Sequence, residues 1–114
     1  MSTATIFDEW FGDMPVARVE GEVDADNTPE LAGRLHSLVT NRSVGLVVDL
    51  SATTYLDSAG INLLFTIGEE LLARQQQLRL VIAPESPIAR MIALTGLDRV
   101  HPVHDSVIAA LEGR

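Results

Sequence analysis

The residues best placed to do chemistry are Asp57 and Ser58, in the run Thr53-Thr54-Tyr55-Leu56-Asp57-Ser58-Ala59-Gly60. An aspartate and a small hydroxyl directly ahead of a long apolar stretch mark a helix start, where backbone N–H groups are left without partners. Two roles fit this pattern. Asp57 or Ser58 can cap the helix, which is worth about 1 kcal/mol. Ser58 can also carry a phosphate, because an anion at a helix start meets free donors and the positive end of the helix dipole. The two roles are compatible.

No other group assembles a catalytic constellation. Asp49 ends a hydrophobic run, as the phosphoacceptor of a receiver domain does, but the chain has no lysine to neutralise a phosphoryl group. Asp49 is therefore read as a structural acid. Ser58 follows Leu56-Asp57 rather than glycine, so the G-x-S-x-G nucleophile elbow of serine hydrolases is absent. His36 falls inside a helix, and His101 and His104 flank Pro102. The H-x-x-H spacing could ligate a metal, but further ligand types are missing nearby, and the pair is read as surface or structural. Glycines are scattered rather than gathered in a phosphate loop. Without cysteine there is no thiolate ligand or nucleophile, and without lysine no Schiff base or P-loop. No catalytic residue, metal or cofactor is predicted.

The elements that must position Ser58 follow from hydrophobic patterning. A chain of 114 residues with 46% hydrophobic and 21% charged residues supports one packed domain, 1–114, and is too apolar for a disordered tail. Residues 3–11 read as an edge strand, and Val16–Glu20 alternates with the two-residue period of a half-buried strand. Together they suggest a hairpin punctuated at Met14-Pro15. Asn27-Thr28-Pro29-Glu30 is a helix start, and Leu31, Leu35, Leu38 and Val39 give one apolar face as far as about Thr40. Val44–Leu50 is almost continuously apolar, as in a strand covered on both sides. A polar loop, Ser51–Asp57, leads into the longest helix, Ser58–Gln77, with Ile61, Leu64, Phe65, Gly68, Leu71 and Leu72 on one stripe.

Leu78–Ala83 is a further strand, parallel to Val44–Leu50 across the helix. Ser86-Pro87 opens the helix Ile88–Thr95, which stops at Gly96, and Asp105-Ser106 opens a short helix to Leu111. The predicted fold is α/β, with a mixed central sheet of four to five strands and about four helices. This arrangement sets the Asp57-Ser58 run at the C-terminal edge of the sheet, where α/β folds place functional sites.

Charge narrows the partners. Residues 1–30 hold eight acids against Arg18 alone, whereas the rest of the chain holds eight acids against seven arginines. A net charge of −8 disfavours nucleic acid, which needs a clustered basic surface. The acidic end reads either as solubility charge or as a field that steers a basic partner. The longest apolar runs span about seven residues, far short of the roughly 20 that cross a bilayer. With no pattern of a secretory leader, no membrane insertion and a cytoplasmic address are expected.

The motifs, taken together, resemble an anti-sigma factor antagonist, the single-domain form of the STAS family. The resemblance rests on Glu20-Gly21-Glu22-Val23-Asp24, Thr28-Pro29-Glu30-Leu31, Val47-Val48-Asp49-Leu50, the signature Leu56-Asp57-Ser58-Ala59-Gly60, and Leu94-Thr95-Gly96-Leu97-Asp98. It implies a STAS-like fold with no catalysis of its own. It implies that Ser58, the serine after the signature aspartate, is phosphorylated by an anti-sigma factor that is also a serine kinase. Unphosphorylated antagonist binds that kinase and frees its sigma factor, and a PP2C-type phosphatase resets the switch. Asp24, Thr54, Tyr55, Asp57, Ala59, Gly60 and Asn62 would form the docking surface. Two positions depart from the family pattern: Ala59 replaces a second serine, leaving Ser58 as the only hydroxyl of the signature, and Asn62 replaces a glycine. A different STAS role, as a scaffold module of a stressosome-type assembly or the cytoplasmic subunit of a lipid transporter, is the alternative.

Overall fold

A computed structural model describes residues 4–113. Strands β1 (Ala4–Phe11) and β2 (Met14–Val23) form the expected hairpin around Gly12-Asp13, with Gly12 at a φ of 65° that a side chain would resist. Met14-Pro15 does not punctuate: both lie in β2, with Pro15 opposite Trp10. The proline is tolerated because β2 pairs with its other neighbour, β3 (Gly45–Asp49), only from Val16 onward. Helix α1 (Thr28–Leu38) has proline in its first turn as expected, and it buries Leu31, Leu35 and Leu38.

The expected polar loop at 51–57 is in part a strand. β4 (Thr53–Leu56) runs parallel to β2, with Gly21, Glu22 and Val23 opposite Thr53, Tyr55 and Leu56 across a register shift. The pattern Thr-Thr-Tyr-Leu is too short and polar to signal a strand by itself. It is held by β2, which outruns β3, and by Thr53 Oγ1, which is buried and donates to the Val19 carbonyl at 2.7 Å.

Helix α2 (Ser58–Ala73) follows, ending before the expected Gln77 because Gln75 takes a positive φ of 60°. Strand β5 (Gln77–Val81) pairs parallel with β3, as anticipated. The chain then passes through α3 (Pro87–Thr95), a single turn α4 (Leu97–Val100), a two-residue strand β6 (Val103–His104), and α5 (Val107–Glu112). Sheet order is β1-β2-β3-β5-β6, with β4 also on β2. The sheet is mixed, antiparallel only at β1–β2. Its six strands, with five helices among the described residues, exceed the sequence expectation by the short elements.

Side-chain alternation along β3 explains its all-apolar pattern. Leu46 and Val48 join the main core with α1, α2 and α3, while Val47 packs on the opposite face with Met14, Val16, Val81 and Ala110 of α5. On α2 the buried face is Gly60, Ile61, Leu64, Ile67, Gly68 and Leu71, whereas Leu72, expected on that stripe, is about half exposed. Gly45 lets β3 approach β5, since a Cβ there would strike the Gln77 carbonyl.

Candidate functional site

The chain emerges from β4 directly into α2, and the turn is built around one carboxylate. Asp57 is the N-cap of α2: its Oδ1 accepts the Gly60 N–H at 3.1 Å, and its carbonyl accepts the Ile61 N–H. The other carboxylate oxygen, Oδ2, accepts the Ala25 N–H at 3.3 Å, thereby tying the β2–α1 loop to the helix start. The Asp57 N–H donates to the Val23 carbonyl, so the ladder between β2 and β4 runs up to the cap itself.

Because Val23 and Leu56 are register partners, the residues that follow them, Asp24 and Asp57, emerge side by side. The β2–α1 loop is in turn self-bonded. Asp24 Oδ1 accepts from the Asp26 N–H, Asn27 Oδ1 from the Asp24 N–H, and Asn27 Nδ2 donates to the Glu22 carbonyl at 2.8 Å. Asn27 sits at the N-cap position of α1 but spends its side chain on this loop, not on the expected cap bond.

On this frame Ser58, the first residue of α2, is exposed, and no described residue engages its hydroxyl. Thr54, Tyr55 and Asn62 are exposed around it and Ala59 is half-buried. Gly60 is buried, and a Cβ there would strike Leu56 Cδ1 and crowd Val23 Cγ1, so only glycine lets the first turn of α2 sit this close to β2 and β4. A structural row, Thr53, Leu56 and Gly60, thus faces inward, and an outward row carries Thr54, Tyr55, Ser58 and Asn62.

A family model described as Mlab, STAS domain matches residues 7–108, which includes the whole of this arrangement. The chain belongs to the STAS family. Among curated proteins it is similar to the anti-sigma-F factor antagonist RsfB of Mycobacterium tuberculosis, with 30% identity over 112 residues, 97% of this chain and 88% of that protein. The putative anti-sigma factor antagonist BtrV of Bordetella bronchiseptica is 30% identical over 98 residues, covering 85% of this chain and 83% of BtrV. The crystal structure of an anti-sigma factor antagonist from Mycobacterium paratuberculosis superposes with a TM-score of 0.87 at 30% identity, covering 97% of this chain and 93% of that one. The unphosphorylated form of the anti-sigma factor antagonist SpoIIAA shares the fold at a TM-score of 0.73 and 18% identity, covering 96% of each chain. The STAS fold and membership expected from the motifs are therefore established.

The fold brings together Asp24 on the β2–α1 loop, Thr54 and Tyr55 on β4, and Asp57, Ser58, Ala59, Gly60 and Asn62 at the start of α2. Sequence reasoning missed the contributions of Ala25 and Asn27, which hold the neighbouring loop through backbone and side-chain bonds. An Asn three residues after an Asp was the available signal, since Asx side chains bond backbone a few residues away. Asp49 is buried and its Oδ1 accepts the Ser51 N–H, the structural role read from the sequence.

His101 and His104 are not surface residues: both are buried, and none of their four ring nitrogens has a hydrogen-bond partner. His101 packs edge-on against α2, where a Cβ at Gly68 would strike its Nε2 and Cε1. Burial pushes the His101 pKa below its usual value, opposed by the nearby Glu69 carboxylate. Among the described residues, no cluster of three or more His, Asp or Glu side chains could hold a metal ion, and no helix is long and apolar enough to cross a membrane.

Proposed function

We propose that this chain is an anti-sigma factor antagonist that docks on an anti-sigma factor serine kinase and is released by phosphorylation at Ser58. A PP2C-type phosphatase restores the binding form. The observation that carries the reading is the state of Ser58. It is exposed at the start of a 16-residue helix, its hydroxyl is unengaged, and the carboxylate beside it already spends both oxygens on the fold. A kinase can reach such a hydroxyl without unfolding anything. Similarity to RsfB and BtrV, named as an antagonist and a putative antagonist, supports the same assignment.

Phosphorylation adds about −1.5 to −2 charge and three acceptor oxygens. At a free helix start that charge is tolerated by the dipole, so the fold is left unchanged. At an interface fitted to a hydroxyl, the same group brings bulk, desolvation and repulsion from facing acids, at a cost of several kcal/mol. A loss of about 3–4 kcal/mol weakens binding roughly 10²–10³-fold. The docking surface is Thr54, Tyr55, Asp57, Ala59, Gly60 and Asn62 with Asp24 on the adjoining loop, and Asn62 tunes which kinase fits.

The test is titration calorimetry with the anti-sigma kinase, paired with mass spectrometry after incubation with ATP. Ser58→Ala should bind and stay unmodified, whereas Ser58→Asp should fold normally and bind at least about 100-fold more weakly. Phosphate on Thr53, Thr54 or Ser86 with Ser58 unmodified, or undiminished binding by Ser58→Asp, would overturn the switch and favour the scaffold role.

A further inference from the structure

The face of the sheet turned away from α1 and α2 is covered only in part. Helix α5 packs there on β3, β5 and β6, and beyond it Phe7, Glu9 and Phe11 of β1 and Arg18 of β2 stand exposed. Strand register sets Phe7, Arg18 and Asp49 in one row across β1, β2 and β3. Between the hairpin and α5 this face holds a groove of about 210 Å³, with Phe7, Phe11, Val16 and Val107 as its apolar lining. That is below the roughly 300–1,000 Å³ of small-molecule sites and suits a single inserted side chain.

We propose that this groove receives one basic side chain, arginine or lysine, from a partner protein that docks across the β1–β2 hairpin. Charge complementarity selects the occupant, since Glu9 and Asp49 line the groove and Glu20 stands beside it, against Arg18 alone. Arg18 does not fill the role itself, because its Nε is held by Glu20 at 2.9 Å. Asp8, also at the groove, is spent on Arg34. The rings of Phe7 and Phe11, about half exposed, offer a cation two aromatic faces. A second copy of this chain fits poorly, because it would set the eight acids of residues 1–30 against the same eight.

Asp49 points to the cation independently of the exposed acids. It is only 4% exposed and spends one carboxylate oxygen, Oδ1, on the Ser51 N–H. Its Oδ2 bonds to no described residue, and unlike the ring nitrogens of His101 and His104 it is not sealed in, so it opens to the groove that Asp49 lines. A buried charge is costly unless it is paired, and an ionised carboxylate only accepts. A guanidinium or ammonium N–H entering beside Phe7 supplies the missing donor. Because α2 packs on the other face of the sheet, the groove is separate from the Ser58 surface.

The experiment is a ¹⁵N–¹H NMR titration of the full chain with the peptide acetyl-Leu-Arg-Leu-amide, with citrulline in place of its arginine as the neutral control of the same shape. Saturable shifts are expected at Phe7, Glu9, Phe11, Asp49 and Val107, with residues 53–62 unmoved. The citrulline peptide should bind at least about tenfold more weakly, since it lacks the charge that strengthens a hydrogen bond to a carboxylate. Asp49→Asn keeps an acceptor for the Ser51 N–H, which its melting temperature checks, and should weaken the arginine peptide by a similar factor. Phe7→Ala, at an exposed position, should weaken it about threefold. Absence of saturable shifts, shifts confined elsewhere, citrulline binding as tight as arginine, or unchanged affinity in either variant would each overturn the proposal. So would a dimer in sedimentation that Asp49→Asn dissolves, which would give the groove to a second copy.

Discussion

Asp57 holds two elements with one side chain, and its replacement separates their contributions. Asp57→Ala removes the α2 cap bond to Gly60, worth about 1 kcal/mol. It also removes the longer bond from the Ala25 N–H, which at a half-exposed site adds about 0.5 kcal/mol. The expected loss is therefore about 1.5 kcal/mol. At roughly 2.1 cal/mol/K per residue, unfolding a chain of 114 residues carries an entropy of about 0.24 kcal/mol/K, so Tm should fall by about 6 °C.

Asp57→Asn keeps an oxygen for Gly60 but sets an NH₂ where Ala25 needs an acceptor. Its cost should be about 0.5–1 kcal/mol, or roughly 2–4 °C. Ser58→Ala should leave Tm within about 1 °C, because the hydroxyl bonds to nothing described and alanine is the better helix former. Thermal melts rank the three variants, and amide exchange assigns the losses. Both the Gly60 and Ala25 amides should lose protection in Asp57→Ala, and only Ala25 in Asp57→Asn. Equal melting of Asp57→Ala and the parent chain, or undiminished Ala25 protection in both variants, would refute the double role.

Three further outcomes follow from the same geometry. Gly60→Ala should cost about 1–3 kcal/mol in urea unfolding, because its Cβ collides with Leu56 and crowds Val23, whereas Gly33→Ala, which meets open space, should not destabilise. The lowered His101 pKa means that the unfolded chain takes up the proton first as pH falls. Stability from this residue should hold above the ordinary histidine pKa and decline below it, until the folded state also protonates, at no more than about 1.4 kcal/mol per pH unit. Urea midpoints from pH 8 to 5 check this, and His101→Phe should flatten that part of the profile. If the acids of residues 1–30 steer a basic kinase, the association rate should fall with added salt while dissociation changes little; a flat profile would mark them as solubility charge.

Long elements were legible in the sequence because their periodicity is a direct imprint of burial on one face or two. Within Val44–Leu50 the residues from Gly45 onward are buried as the pattern announced, whereas Val44 precedes β3 and is half exposed, and the α1 face was read residue by residue. What stayed hidden is held by tertiary contact rather than by pattern. β4 exists because β2 extends past β3 and offers it a free edge. β6 has two residues, too few for any period, and is defined by its ladder to β5. Leu72 was placed on the buried stripe by hydrophobicity, but the helix presents Ile67 to the core instead. The buried state of His101 was likewise unreadable, since the space it fills is created by the missing side chain of Gly68 on another element. At the site, the motif located Asp57 and Ser58, whereas the link from Asp57 to Ala25 spans 32 residues and is visible only once β2 and β4 are paired.

The division of labour within Leu56-Asp57-Ser58-Ala59-Gly60 gives the surface freedom to vary. Leu56 fills the core, Gly60 makes room for it, and Asp57 commits both carboxylate oxygens to backbone donors on two different elements. Those three positions carry the stability of the turn. Ser58 and Asn62, by contrast, contact solvent on the first turn of a helix whose cap does not depend on them. Changes there should move stability by no more than about 0.5 kcal/mol, the usual range for exposed positions free of special bonds. A charge can therefore be added at Ser58, or the side chain exchanged at Asn62, without altering the scaffold that presents them. The same backbone can then be read as different surfaces by a docking partner, which is the physical requirement for a switch made by one modification.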